Sequence, residues 1–225
     1  MAKKYVAIVD TETVEQFKEP WKQGKQLVWN IGFEIVRVCD GKVAHAGNYV
    51  AADVYECFKG FPYLTKEVQE KAEKDRGIWL PFKEIYKMFN QVLKSYDVQE
   101  IWAYNSSFDK RVLKRTCEVF DIDEVTYQWR DIWKYAEHFT GTKKYVSWCI
   151  ENGYVSDKGN PKTSAEVVGW YLFGITSNEE HLALADVRDF ERPIFLKLEQ
   201  QKIKKPTTSG QGWRKAAKVR KEYFE

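Results

Sequence analysis

The sequence predicts an α/β domain, a mixed sheet of five strands flanked by helices. Three observations predict it. An alternating apolar and polar meander opens the chain, short apolar runs then alternate with helix-period segments, and helical spacing fills the remainder. The 225 residues, 44% hydrophobic and 31% charged, suit one domain with a real core and a short extension.

Tyr5 to Val9 is a short apolar run, a buried strand ending at Asp10. Leu27, Trp29, Ile31, Phe33 and Ile35 alternate with Val28, Asn30, Gly32 and Glu34, which makes a long strand with one buried face. Asp40-Gly41 is a hairpin signal, and Lys42 to Val50 returns as the third strand of an antiparallel meander. Residues 51–80 read as an insertion with a helix near Thr65 to Lys74. Pro81 suits a first helical position, and Phe82, Ile85, Tyr86, Phe89 and Leu93 recur at helical spacing behind it. Ile101 to Tyr104 is a short strand. Ser107 to Phe120 is a helix with Val112, Leu113, Cys117 and Phe120 inward, and Tyr127 to Trp129 is a fifth strand. Up to about Gln201 the chain then reads as helices broken near Gly141, Gly153–Pro161 and Gly174. The domain is thus expected over residues 1–203, with a basic C-terminal tail over 204–225. Within that tail Pro206 to Gly210 reads as a flexible linker and Trp213 to Phe224 as a short helix.

The net charge of +3 conceals an asymmetry. From Lys202 onward eight basic residues face two acids, which leaves the body mildly acidic. That balance suits a protein that gathers cations and still meets a polyanion. Cys39, Cys57, Cys117 and Cys149 are widely spaced without a Cys-x-x-Cys, so the zinc patterns are excluded. They are expected as reduced, buried, small apolar residues. Met1 to Tyr5 has no apolar leader and no 18-residue apolar run follows, so a cytoplasmic protein without a membrane partner is expected.

Asp10-Thr11-Glu12 lies at a strand end, where residues i and i+2 share a face. Carboxylates held that close raise each other's pKa unless a cation neutralises them, and hard divalent cations are the natural partner. Read alone, the pair is equally an ordinary hydrophilic strand end. A second copy, Asp189-Phe190-Glu191, falls in a helical context where i and i+2 diverge by roughly 200°, and reads as solvated surface. Asn105-Ser106-Ser107-Phe108-Asp109 sits at a strand-to-helix junction. Ser106 and Asp109 there also fit a capping box, a role compatible with a rigidly held functional acid. Asp186 shares the stripe of Phe190, Ile194 and Leu198, a costly place for an acid unless it is paired or metal-bound. His181 has two readings. Either Ser177 to Glu180 cap a helix that contains it, about 140° from Asp186, or it lies at or before the helix start and swings toward the site. The second is the expectation.

In order, Asp-x-Glu, Asn-x-x-Phe-Asp and His-x-Ala-x-x-Asp on strand, junction and late helix resemble the DEDDh exonuclease family, which includes proofreading exonucleases and ribonuclease T. The resemblance spans residues 5–195. Asp131-Ile132-Trp133 through Asp186 is also similar to exonucleases encoded by bacteriophages. The family implies an RNase H-like fold. It implies two Mg²⁺ or Mn²⁺ ions held by Asp10, Glu12, Asp109 and Asp186, with His181 as general base, since an unperturbed imidazole titrates near ~6.5. Thr11 and Thr13, with Asn105 and Phe108, stand where substrate contacts are implied. Asn30 stands where many members carry an acid that is not catalytic. The implied activity is 3′–5′ exonucleolytic release of nucleoside 5′-monophosphates from single-stranded 3′ ends of DNA or RNA. A DNA polymerase or another replication protein is the implied partner class. Two alternatives remain. An endonuclease on the same fold is disfavoured by the His181 motif. A non-catalytic nucleic-acid-binding or polymerase-associated proofreading module is disfavoured by the presence of all four acids. No motif reads a 2′-hydroxyl, so the sequence does not choose between DNA and RNA.

Overall fold

The computed structural model of the chain describes residues 4–15, 26–58, 65–74, 77–174, 178 and 180–224. Strands β1 (Tyr5–Glu15), β2 (Gln26–Arg37) and β3 (Val43–Ala51) form the expected antiparallel meander, but β2 is buried on both faces rather than the expected one, because helices cover both sides of the sheet. Outside it β5 (Glu100–Ala103) lies parallel to β1, and β6 (Gln128–Asp131) parallel to β5. A further strand, β4 (Ile78–Leu80), lies parallel to β3 at the opposite edge. The order is β4-β3-β2-β1-β5-β6, six strands where five are expected. Three residues are too few to show a period, which is why β4 is not legible in the sequence. It falls within residues 51–80, beside helices α1 (Ala52–Phe58) and α2 (Lys66–Lys74). Trp79 there packs edge-on against Tyr55, ring centroids 4.9 Å apart. The Phe82 N–H donates to Asp53 Oδ1 at 2.9 Å, so the stretch is tied into the sheet edge.

Helices cover both faces. α3 (Phe82–Ser95) and α4 (Ser106–Val119) close a core with Ala7, Val9, Ile31 and Phe33. On the other face lie α5 (Ile132–Thr140), α6 (Lys143–Glu151), α7 (Ala165–Phe173) and a long late helix. That helix begins as α8 (Ala183–Asp186), passes through a π turn (Val187–Glu191) and continues as α9 (Arg192–Gln200). Its Phe190, Ile194 and Leu198 join Val6, Ile8 and Trp102 in a second core. Successive β1 residues thus enter different cores, so the strand reads as an unbroken apolar run rather than an alternation. Pro81 occupies the N-cap of α3, one position before the expected one. Gly174, at φ +65°, ends α7 in the left-handed conformation that favours glycine.

Cys117 and Cys149 are buried as expected, whereas Cys39, beside the β2–β3 turn, and Cys57 are exposed; all four are free thiols. The C-terminal segment is docked. The Arg130 guanidinium donates to Pro206 O at 3.3 Å, and the Gly210 N–H donates to Asp131 Oδ2 at 2.6 Å. Helix α10 (Arg214–Tyr223) buries Ala216 and packs on α5 and α6. The stretch read as a flexible linker is therefore fastened, through an acid 79 residues earlier in the chain. No helix among the described residues is long and apolar enough to cross a membrane.

Candidate active site

β1 carries Asp10 and Glu12 on one face, and its register with β2 shifts after Glu12. A bulge of this kind re-aims side chains, and because β1 runs on to Glu15, Asp10 and Glu12 lie inside the strand rather than at its expected end. Asp10 pairs with Gly32 and Glu12 with Asn30. Both partners belong to the site, because the helix bearing Asp186 arrives over them. A Cβ on Gly32 would stand 2.0 Å from Leu184 N, so only glycine lets α8 approach this closely. Asn30, 1% exposed, accepts the Ala183 N–H on Oδ1 at 3.0 Å. Its own amide is held by Tyr49 O at 3.1 Å and Asn48 Oδ1 at 2.6 Å. The α8 cap residue, Leu182, has no capping side chain, so a distant strand supplies the cap. Asn30 and Gly32 position α8 over β1; sequence reasoning noted Asn30 only as standing in place of a non-catalytic family acid and missed Gly32. The available signal was a polar side chain on an apolar strand, directly across from Glu12.

Asp109 arrives from the other side of the sheet, in the first turn of α4. Asn105, not Ser106, is the N-cap, with a left-handed φ of 65° and no capping side-chain bond, so the capping box does not form. Instead the Asp109 carboxylate, 2% exposed, accepts the Thr11 hydroxyl at 2.8 Å. His181 precedes α8 as expected, exposed and at φ 55°, a conformation that non-glycine residues adopt at some cost. Ser177 and Glu179 of the alternative capping box lie outside the described residues. Asp186, 7% exposed, accepts the Glu180 N–H at 3.2 Å. Glu12, His181 and Asp186 each place a ligand atom within 4.8 Å of the others.

The electrostatics match this crowding. The Asp10 carboxyl is pushed well above its ordinary 3.8 by burial first, then by Glu191, Glu12, Asp109 and Asp186. Burial lifts Asp109 to about 7 against the lowering effect of the Thr11 hydroxyl. Carboxylates gathered in this way call for a cation.

Glu191 corrects the sequence reading. Asp189 is solvated and paired with Arg188, as expected, but Glu191 is 3% exposed and accepts the Tyr104 N–H at 3.1 Å. In an α-helix positions 186 and 191 would diverge by about 140°. The π turn, in which the Arg192 N–H bonds to Val187 O, brings residues five apart onto one side and turns Glu191 toward Asp10.

The four residues expected at the substrate are divided. Thr11 is buried with its hydroxyl engaged by Asp109, and Thr13 follows the bulge, partly exposed. Phe108 packs against the first core beneath the Arg111 guanidinium, 5.5 Å from its ring centroid. Asn105 opens onto a cavity of about 540 Å³.

No protein-family model and no curated protein matches the chain. Solved structures do. The nuclease domain of 3′hExo, described as a DEDDh family member and bound to rAMP, aligns with a TM-score of 0.65 at 12% identity, over 92% of this chain and 98% of its own. A full-length 3′-exonuclease gives 0.62 at 12% identity, covering 95% of this chain and 90% of that one. Cell-death related nuclease 4 (CRN-4) gives 0.57 at 15% identity, covering 99% and 78%. Over nearly its whole length, the chain has the RNase H-like mixed α/β fold of the DEDDh nuclease domain of 3′hExo.

Proposed function

We propose that the chain is a 3′–5′ exonuclease that hydrolyses phosphodiester bonds at the 3′ end of DNA or RNA and releases nucleoside 5′-monophosphates. One observation carries the reading. Asp10, Glu12, Asp109, Asp186 and His181, from three separate parts of the chain, converge beside the middle of β1 in a fold shared with a DEDDh nuclease. The rAMP bound to 3′hExo is a nucleotide of the proposed product class.

The donor set fits divalent cations. Four carboxylates offer hard oxygens, and two of them are held far above their ordinary pKa by crowding that a cation would relieve. Asp10, Glu12, Asp109 and Asp186 would hold two Mg²⁺ or Mn²⁺ ions. Bound there, such ions neutralise charge on the phosphodiester and stabilise the leaving oxygen. The chain does the rest. Thr11 orients Asp109 through its hydroxyl, and the Glu180 N–H orients Asp186. Asn30 and Gly32 set the height of α8 above β1. His181 takes the proton from the attacking water on an imidazole nitrogen, and its exposure lets that proton leave to solvent. Imidazole is a poor partner for Mg²⁺ beside four carboxylates, which favours a base over a ligand.

The test is release from uniformly labelled single-stranded DNA, single-stranded RNA and duplex, compared side by side with Mg²⁺ and with chelator. Mononucleotides should appear stepwise, and chelator or Asp186→Ala should stop them. Internal cleavage products, or release that survives chelator, would overturn the reading.

A further inference from the structure

We propose that the cavity beyond the carboxyl ends of β5 and β6 is a second nucleotide subsite. It receives a base and phosphate of a single-stranded nucleic acid upstream of the 3′ end. The direction of the strand rests on the nuclease reading above; the binding itself does not.

Position comes first. Ala103 and Asp131 end two neighbouring parallel strands, and α4 and α5 begin just beyond them. The space past such strand ends is where open α/β sheets bind ligands. About 540 Å³ lies within the usual range for a small-ligand site. Two lining residues tie the cavity to the acidic cluster. Tyr104 lines it while its N–H donates to Glu191, the neighbour of Asp10, and Asn105 lines it four residues before Asp109.

The walls suit a base. The Tyr104 and Trp133 rings stack with centroids 6.3 Å apart. Both are fixed on Thr163: the Tyr104 hydroxyl donates to its carbonyl at 2.5 Å, and Trp133 Nε1 donates to its Oγ1 at 2.9 Å. Trp213 from the C-terminal segment completes the lining and is 44% exposed, an indole held open at the rim. Its placement is built in. Gly210 is tied to Asp131, and Gly212 lies so close to Trp133 that a Cβ would stand 2.5 Å from the indole. Lys162 lines the cavity, and among the described residues no acid does. The Arg220 guanidinium reaches Lys158 O and Asn160 Oδ1 on the adjoining loop. Aromatic faces with a lining cation and no carboxylate select a stacked base joined to a phosphate, with little preference for sequence.

The experiment uses the full chain with 5′-labelled oligodeoxythymidylates two to ten nucleotides long, with Ca²⁺ in place of Mg²⁺, read by fluorescence anisotropy. Affinity should rise with length until a nucleotide reaches the cavity. Trp213→Ala should remove that rise, weakening the longer chains relative to the dinucleotide by about 5- to 150-fold, the scale of one base stacked on an aromatic ring. Trp213→Phe should restore most of it, which a purely structural role would not predict. Lys162→Gln should lower the salt slope of binding by about one. The proposal is overturned if the wild-type chain shows no length dependence, or if Trp213→Ala and Lys162→Gln bind every length as the wild type does. Trp213-dependent binding without nucleotide release in Mg²⁺ would sink the nuclease reading and leave the subsite standing. Release without Trp213 dependence would do the reverse.

Discussion

Asp109→Asn should make the metal-free protein more stable while it removes activity. The carboxyl is 2% exposed, and its surroundings lift it from 3.8 to about 7, chiefly through burial. A group whose folded pKa exceeds its unfolded one stabilises the fold fully below the unfolded value. That contribution is lost as pH rises through the folded value. The gap between 3.8 and about 7, at about 1.4 kcal/mol per pH unit, amounts to about 4 kcal/mol lost by pH 8. Asparagine keeps an oxygen for the Thr11 hydroxyl and cannot ionise, so the variant escapes the loss. Urea unfolding in chelator across pH 4.5–8.5 measures it. The advantage of the variant should be under about 2 kcal/mol at pH 5 and approach about 4 kcal/mol at pH 8. Saturating Mg²⁺ should then stabilise the wild type by mass action and the variant much less. If the variant in chelator is no more stable at pH 8 than the wild type, or if the difference is flat with pH, Asp109 is not a crowded buried carboxylate and the cluster is misdrawn.

His181→Ala should lower turnover by roughly 10²–10⁴-fold with an unchanged Mg²⁺ requirement, measured by titrating the metal; a collapse of metal affinity would make the imidazole a ligand instead. Gly32→Ala should lower kcat by about 100-fold or more, because its Cβ would stand 2.0 Å from Leu184 N and force α8, with Asp186, off the sheet. Circular dichroism should show the secondary structure kept, and a wild-type kcat would refute the role given to this glycine. Truncation after Lys205 removes Trp213 and α10 with its cations, so the salt dependence of substrate binding should flatten by about one unit per lost phosphate contact. Unchanged slope and affinity across a salt series would remove the tail from substrate binding.

Much of this was legible because it is local. The two-residue period of β2, the helical period of α3 and the order of three acidic motifs sit within short windows of sequence. They placed the meander, the late helices and the five residues that now cluster. His181 stands before its helix, the second of its two sequence readings. What was not legible depends on partners far away in the chain. The edge strand β4 exists because β3 offers it a ladder. Asn30 becomes a helix cap only when Ala183, 153 residues later, is brought against it. Gly32 reads as any strand glycine until Leu184 occupies the space where its Cβ would be. Glu191 obeys no α-helical rule, because one π turn rotates it from the surface into the cluster. The linker before Trp213 looks free by composition and is held by Asp131. Periodicity records which face of an element is apolar, and so the sequence by itself determined the longer elements and singled out four acids as candidates. Hydrogen-bond partners and close approaches arise only when distant segments pack, and so the tertiary structure alone decided how those acids are held, which further acid joins them, and what lies beside them.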